Sequence, residues 1–291
     1  MAITLTATSN TISKTALAPQ DTVDDVSMTS INPGLQTLLN NSYYLARTMV
    51  YLRPHVSISS IASNTTVTIA PYKGLWVSTT AVGTETWTSF SNTSSTNITG
   101  TSVEGGGGYV ASSTYYLYFL GATATFQLSL TPPDATGTFK VVAGVEQIDQ
   151  RYIGSVLTDI SSKIIPFKMT DFEYTFAVPY PSNYGNGTLT SVTYVDVIWT
   201  QIPVLVKDVT LAVTFINGLG TTGINSTYFA SKGLETVPIE YIVQTSAPTT
   251  TGGVRYLDMS GIKLPLGTNQ RLAAHITANF PIYIFALGWS E

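Results

Sequence analysis

The chain has 291 residues, with 13 Lys and Arg against 17 Asp and Glu for a net charge of −4, and it contains no cysteine. Those values exclude a disulfide scaffold, a zinc ribbon and a thiol nucleophile, and the sparse, unclustered cations exclude a surface that tracks the phosphates of a nucleic acid. Charged residues are 10% of the chain where about 25% is usual, so hydroxyl-rich strand faces and cover by sister copies are expected to keep it soluble.

The N-terminal stretch MAITLTATSNTISKTALAPQDTVDDV has neither the basic start nor the continuous apolar core of a secretory signal. No later segment approaches the roughly 20 apolar residues of a membrane span, so membrane insertion is not expected. A protein of this kind that acts outside cells leaves by lysis or inside a particle. Residues 1–31 are polar and rich in Thr and Ser, and read as an extended arm that stays loose or holds a partner.

A helix is predicted to start at Asn32-Pro33, an N-cap followed by proline in the first turn, and to stop before Pro54. Its apolar positions are Leu35, Leu38, Leu39, Ala46, Met49 and Val50, with Ser42 and Tyr43 in the gap. That spacing suits a short coiled coil or packing on a sheet, with Leu35, Leu38 and Leu39 as assembly residues.

From Val56 onward period-2 alternation dominates. Val67 and Ile69 alternate with Thr66, Thr68 and Ala70, and Leu75 and Val77 with Trp76 and Ser78. Residues 83–108 are hydroxyl-rich and read as either a loop or a polar strand. The glycines 105–108 are not a phosphate loop, because no Lys-Ser/Thr pair follows. Tyr115 to Leu120 is apolar on both faces and should be covered on both. Its expected partner, 123–131, puts Phe126, Leu128 and Leu130 on one face, and Gly121-Ala122 supplies a tight hairpin. Strand Phe139–Val142 follows, then QRYIGSVLTD, whose alternation groups Arg151, Ile153, Ser155 and Leu157 against Tyr152, Gly154 and Val156.

The remainder forms a second series. Phe172, Tyr174, Phe176 and Val178 alternate with Glu173, Thr175 and Ala177, and further strands are predicted at 189–199, 204–206, 209–216, 237–244, 254–258, 271–279 and 281–289. About eight strands at this spacing indicate a jelly-roll-like sandwich. The expected fold is all-β, with an arm and short helix at 1–54, a β module at 55–168 and a C-terminal β-sandwich at 169–291.

Titratable groups are few. His55 and His275 read as structural, no pair has metal-ligand spacing, and no cofactor or metal is expected. The carboxylates Asp24, Asp25, Asp171, Glu173 and Asp196 sit in no catalytic context, although the two acids of a glycosidase need not be close in sequence. Six Asn-x-Ser/Thr sites, at Asn40, Asn64, Asn92, Asn97, Asn186 and Asn225, carry no weight without a secretory signal. Aromatic residues in polar loops remain: Tyr180 and Tyr184 in PYPSNYGNGT, and Tyr228-Phe229 in NSTYF. Rings beside Asn and Ser suit the apolar face and hydroxyls of a sugar, and equally suit packing over a sandwich end or a neighbouring subunit.

YVASSTYYLYFLGATATFQLSLTPP followed by QRYIGSVLTD resembles a module of tailed-bacteriophage fibre and receptor-binding proteins, a "tYYvYly … l.lS…P" hairpin before an "RRYLGs…TD" strand. The resemblance covers about 109–167. It departs at Gln150, where the family has arginine, and at Ile160-Ser161-Ser162, where the family turn has glycine. The family implies a homotrimer, attachment of the N-terminal arm to another virion protein of tail, baseplate or capsid, and a distal β domain on the host surface, where the loop aromatics make a surface glycan the candidate receptor. Arg151, Tyr152 and Gly154 then read as architectural: the glycine leaves room for a bulky cross-strand neighbour, Tyr152 covers it, and Arg151 holds a carboxylate or carbonyls at a subunit seam. The expectation is a non-enzymatic virion protein assembled in the host cytoplasm, a trimeric fibre or receptor-binding subunit. The rivals are a capsid decoration protein and a glycan-cleaving spike.

Overall fold

The computed structural model describes residues 11–13, 54–80, 86–183, 189, 193–217, 224–235, 241–246, 255–276 and 282–291. The expected helix with Leu35, Leu38 and Leu39, and the arm apart from Thr11–Ser13, lie outside these residues. The fold is all-β, and the chain separates into two compact units, 1–164 and 165–291.

Unit 1 contains β1 (Thr11–Ser13), β2 (Ile58–Ser59), β3 (Thr66–Ile69), β4 (Tyr72–Ser78), β5 (Thr86–Asn92), β6 (Thr96–Thr99), β7 (Thr114–Leu120), β8 (Thr125–Ser129), β9 (Phe139–Val142) and β10 (Val145–Leu157). They pair antiparallel as β1-β5-β4, β2-β3-β6 and β8-β7-β10-β9. Thr11–Ser13 of the arm is therefore a strand on the chain's own β5. The hydroxyl-rich stretch 83–108 contains β5 and β6, because Trp87 and Ile98 supply the buried anchors that make polar strands adhere.

β7 is buried on both faces, as its sequence requires. Its turn differs from the expected two-residue form. Four residues, 121–124, separate β7 from β8, and Ala124 takes the left-handed conformation at φ 54°. Gly121 serves packing instead: a Cβ there would lie 2.0 Å from the Ser78 carbonyl oxygen at the end of β4. Leu130 is exposed because β8 stops at Ser129, before the alternation expected of it runs out. At 159–163, Asp159 Oδ1 accepts from the Ser161 and Lys163 backbone N–H groups, and Ser162 adopts φ 59°, so serine takes the left-handed position of the turn.

Unit 2 contains β11 (Phe167–Thr170), β12 (Glu173–Pro181), β13 (Val195–Val197), β14 (Asp208–Asn217), β15 (Ile224–Ser231), β16 (Tyr241–Ser246), β17 (Arg255–Pro265), β18 (Leu272–Ile276) and β19 (Ile282–Ser290). One sheet runs β17-β14-β19-β12 with β11 outside β12, and the other runs β13-β18-β15-β16. Counting from β12, the first, eighth, third and sixth strands form one sheet and the second, seventh, fourth and fifth the other. This is the wrap of a jelly roll. Trp289 anchors the first sheet, meeting Phe176 edge-to-face at 4.6 Å and Tyr180 at 6.1 Å. Val178 is 62% exposed, against expectation, because β12 carries three extra residues between its pairs Thr175↔Gly288 and Tyr180↔Ala286. The run 204–206 is a turn closed by Val206 N–H on Pro203, and 224–231, read as loop, is a central strand.

Candidate functional site

Two places bring chemistry-bearing side chains together, one in each unit. In unit 1 the register of β10 on β7 slips between Tyr152↔Tyr118 and Gly154↔Leu117, leaving Ile153 as a bulge. The slip reverses the alternation, so Arg151 shares its face with Gly154 and Val156, while Tyr152 shares the other with Ser155 and Leu157. Arg151 pairs with Phe119 and Phe139, the rings that meet Phe90 at 4.9 Å and Trp87 at 6.2 Å. Its guanidinium thus enters the aromatic layer, and the residue is 2% exposed. Burial pushes its pKa down to about 10 against the pull of Asp134, and it remains a cation at neutral pH.

The structure departs from expectation at Arg151 and at Tyr152. Arg151 is interior to a single chain and does not lie on a surface seam, and Tyr152 does not cover Gly154. Tyr152 instead meets Tyr116 and Tyr118 at 6.2 and 5.9 Å. On this same face Lys140, 2% exposed, lies 5.9 Å over the Tyr118 ring and donates to Glu104 Oε1 at 2.6 Å, while Ser129 donates to Oε2 at 2.6 Å. Desolvation pushes the Glu104 carboxyl up, but the Lys140 and Ser129 hydrogen bonds and the Lys140 charge outweigh it and hold it below its ordinary value.

In unit 2 the second site lies on the sheet β13-β18-β15. Pairing sets Val195, Val197, Leu272, Ala274, Ile276, Thr227 and Phe229 on one face, and all but Val195 are fully buried. The other face therefore points outward. There Tyr194, His275 and Tyr228 form a row across three strands. Tyr228 stacks on His275 with centroids 4.6 Å apart and planes 4° apart, and Tyr194 meets His275 edge-on at 4.4 Å. All three are half-buried.

Two positions further along each strand this face carries Ala230 and Ala273, and beyond them an ionic cluster. Lys232 Nζ lies 2.9 Å from Asp196 Oδ1 and 3.1 Å from Glu235 Oε1, and Arg271 donates to Asp196 Oδ2 at 2.8 Å. Lys232 is paired with Arg271 by its backbone, so its side chain must cross β18 to reach Asp196. Alanine at 273 leaves that path open. Gly267 fixes the Lys232 backbone, since a Cβ there would fall 2.1 Å from the Lys232 carbonyl oxygen. Asn183 fixes β13, donating to the Asp196 carbonyl at 3.0 Å and accepting from Ile198 N–H at 2.8 Å.

Lys232 above all, then Arg271, holds the Asp196 carboxyl below its ordinary value. Glu235 is lowered by its own and Gly233's backbone N–H and by Lys232, and Lys232 is raised by Asp196 and Glu235. The cluster is charge-balanced at neutral pH.

The residues singled out in the sequence are divided by this geometry. Tyr228 belongs to the outward face. Phe229 alternates to the interior of the same strand, and both lie in β15 and not in a loop. Tyr180 is a core residue whose hydroxyl donates to Gln201 Oε1 at 2.8 Å and whose pKa burial raises. Tyr184 lies outside the described residues. Tyr194, Asp196, Lys232 and Arg271 come together only through strand pairing, and Glu235 joins Lys232 from three residues along the chain. The one sequence signal for them is that Asp196 interrupts the otherwise apolar run 194–199. Among the described residues no group of His, Asp and Glu converges as a metal site, and no helix is long and apolar enough to cross a membrane. A scan against protein-family models finds no match for the chain, and a search of curated proteins finds none either.

Proposed function

We propose that this protein is a structural component of a tailed-bacteriophage particle, a homotrimeric fibre or receptor-binding subunit whose C-terminal sandwich holds a carbohydrate on the host surface. The observation that carries the binding half of this reading is the outward face of β13-β18-β15, where half-buried rings lie near part-exposed donors and acceptors. That juxtaposition suits a pyranose, which offers an apolar C–H surface and a rim of hydroxyls.

The assembly half rests on the tyrosine-rich hairpin with its bulged partner strand, and on aliphatic side chains left in water. Ile160 is 86% exposed and Ile61 59%, in turns joined by the Ile164 N–H bond to the Asn64 carbonyl, and Val142 and Val145 flank the β9–β10 turn. Such surface is suited to cover by sister copies. Against the glycan-cleaving alternative, Asp196 and Glu235 share one lysine and are both held ionised, whereas a glycosidase needs one acid kept protonated.

The test is attachment. Purified protein should bind host cells and isolated envelope glycans, run as a trimer in sedimentation, and label the tail in imaged particles. Label confined to the head would replace this reading with capsid decoration, and release of reducing sugar would replace it with cleavage.

A further inference from the structure

We infer that the outward face of β13-β18-β15 selects an uncharged saccharide over an acidic one. The inference rests on the carbohydrate reading above and adds the chemical class of the ligand. Asp196 and Glu235 contribute two negative charges, Lys232 and Arg271 two positive ones, and each cation already lies within 3.1 Å of a carboxylate. A sugar carboxylate on the spare Arg271 N–H groups would lie beside Asp196, a like charge already sharing that cation, and displacing Asp196 or Glu235 would leave that carboxylate without its partner.

A neutral hydroxyl faces no such conflict. Arg271 uses one guanidinium N–H on Asp196, which leaves others for acceptors, and each Asp196 oxygen has spare lone pairs for hydroxyl donors. Side-chain exposures of 38% for Arg271 and Lys232 and 27% for Asp196 leave these atoms reachable. A pair of neighbouring hydroxyls therefore bridges carboxylate and guanidinium without breaking the cluster, and the ring carbons lie toward Tyr228 and His275.

The experiment uses the full chain in calorimetric titrations with neutral hexose oligosaccharides and with their sialylated or uronic-acid counterparts of equal length. The neutral series is expected to bind, and the acidic series at least about tenfold more weakly. Asp196→Asn and Tyr228→Ala should each weaken neutral binding by about tenfold or more, the scale of one lost charge-assisted hydrogen bond or stacking contact. Glu104→Gln in unit 1 should leave binding unchanged. Preference for the acidic series, or unchanged affinity in both Asp196→Asn and Tyr228→Ala, overturns this inference while leaving carbohydrate attachment standing. Binding of neither series overturns both.

Discussion

Tyr116, Tyr118 and Tyr152 in unit 1, and Tyr194, His275 and Tyr228 in unit 2, are rows of rings set across antiparallel strands, and each row has lysine and glutamate nearby. In unit 1 the rings are at most 5% exposed, and Lys140 is buried with its carboxylate reaching in from the rim. In unit 2 the rings are half-buried and both partners of every ion pair are part-exposed. Burial turns the first arrangement into a stability element, because a desolvated lysine must keep its partner. Exposure leaves the second with little folding energy and with free hydrogen-bonding capacity for a ligand.

The comparison predicts unequal costs. Tyr152→Ala should be the most damaging substitution, removing a fully buried ring at a cost of about 3–5 kcal/mol, seen as loss of the unit 1 transition in urea. Next, Gly121→Ala should cost about 1–3 kcal/mol through overlap with the Ser78 carbonyl. Gly267→Ala should displace Lys232 and show first in ligand affinity. Tyr228→Ala should cost only about 1 kcal/mol, the worth of a stacked pair with one side in water. If Tyr228→Ala destabilised as much as Tyr152→Ala, the outward face would be core and the contrast would collapse.

The smallest expected effect is in the pH dependence. Glu104 is held below its ordinary value of 4.5, so its contribution is present above that pH and is lost as pH falls through the lower folded value. With Glu104 about half exposed the effect should be under about 1 kcal/mol, and Glu104→Gln should remove it from a denaturation series taken into acid. The Asp196 and Glu235 contributions follow the same sign, present at neutral pH and lost in acid. Those of Lys232 run the other way, lost as pH rises through its raised folded value.

Much of the architecture was legible before the fold was seen, because period-2 alternation reports directly which strand face is buried. Phe139–Val142 coincides with β9, and 209–216 and 281–289 fall within one residue of β14 and β19. The misread faces at Arg151–Gly154 and at Val178 have a common cause. Alternation assumes an uninterrupted strand, and the bulge at Ile153 and the extra residues after Thr175 change the count without any mark in the residues themselves. NSTYFAS looked like a loop because its hydroxyls are hydrophilic, yet Thr227 and Ser231 are buried on a central strand.

Composition and periodicity by themselves determined an all-β chain, the doubly covered strand at Tyr115–Leu120 and the jelly-roll-like second half. Only the tertiary structure decided that Arg151 lies inside its own chain, that Phe229 faces away from Tyr228, and that Tyr194, Asp196, Lys232 and Arg271 meet on one surface. The reason is that strand pairing brings together residues far apart in the chain, 81 positions in the case of Tyr194 and His275, and which of them meet depends on register, which local patterning does not encode.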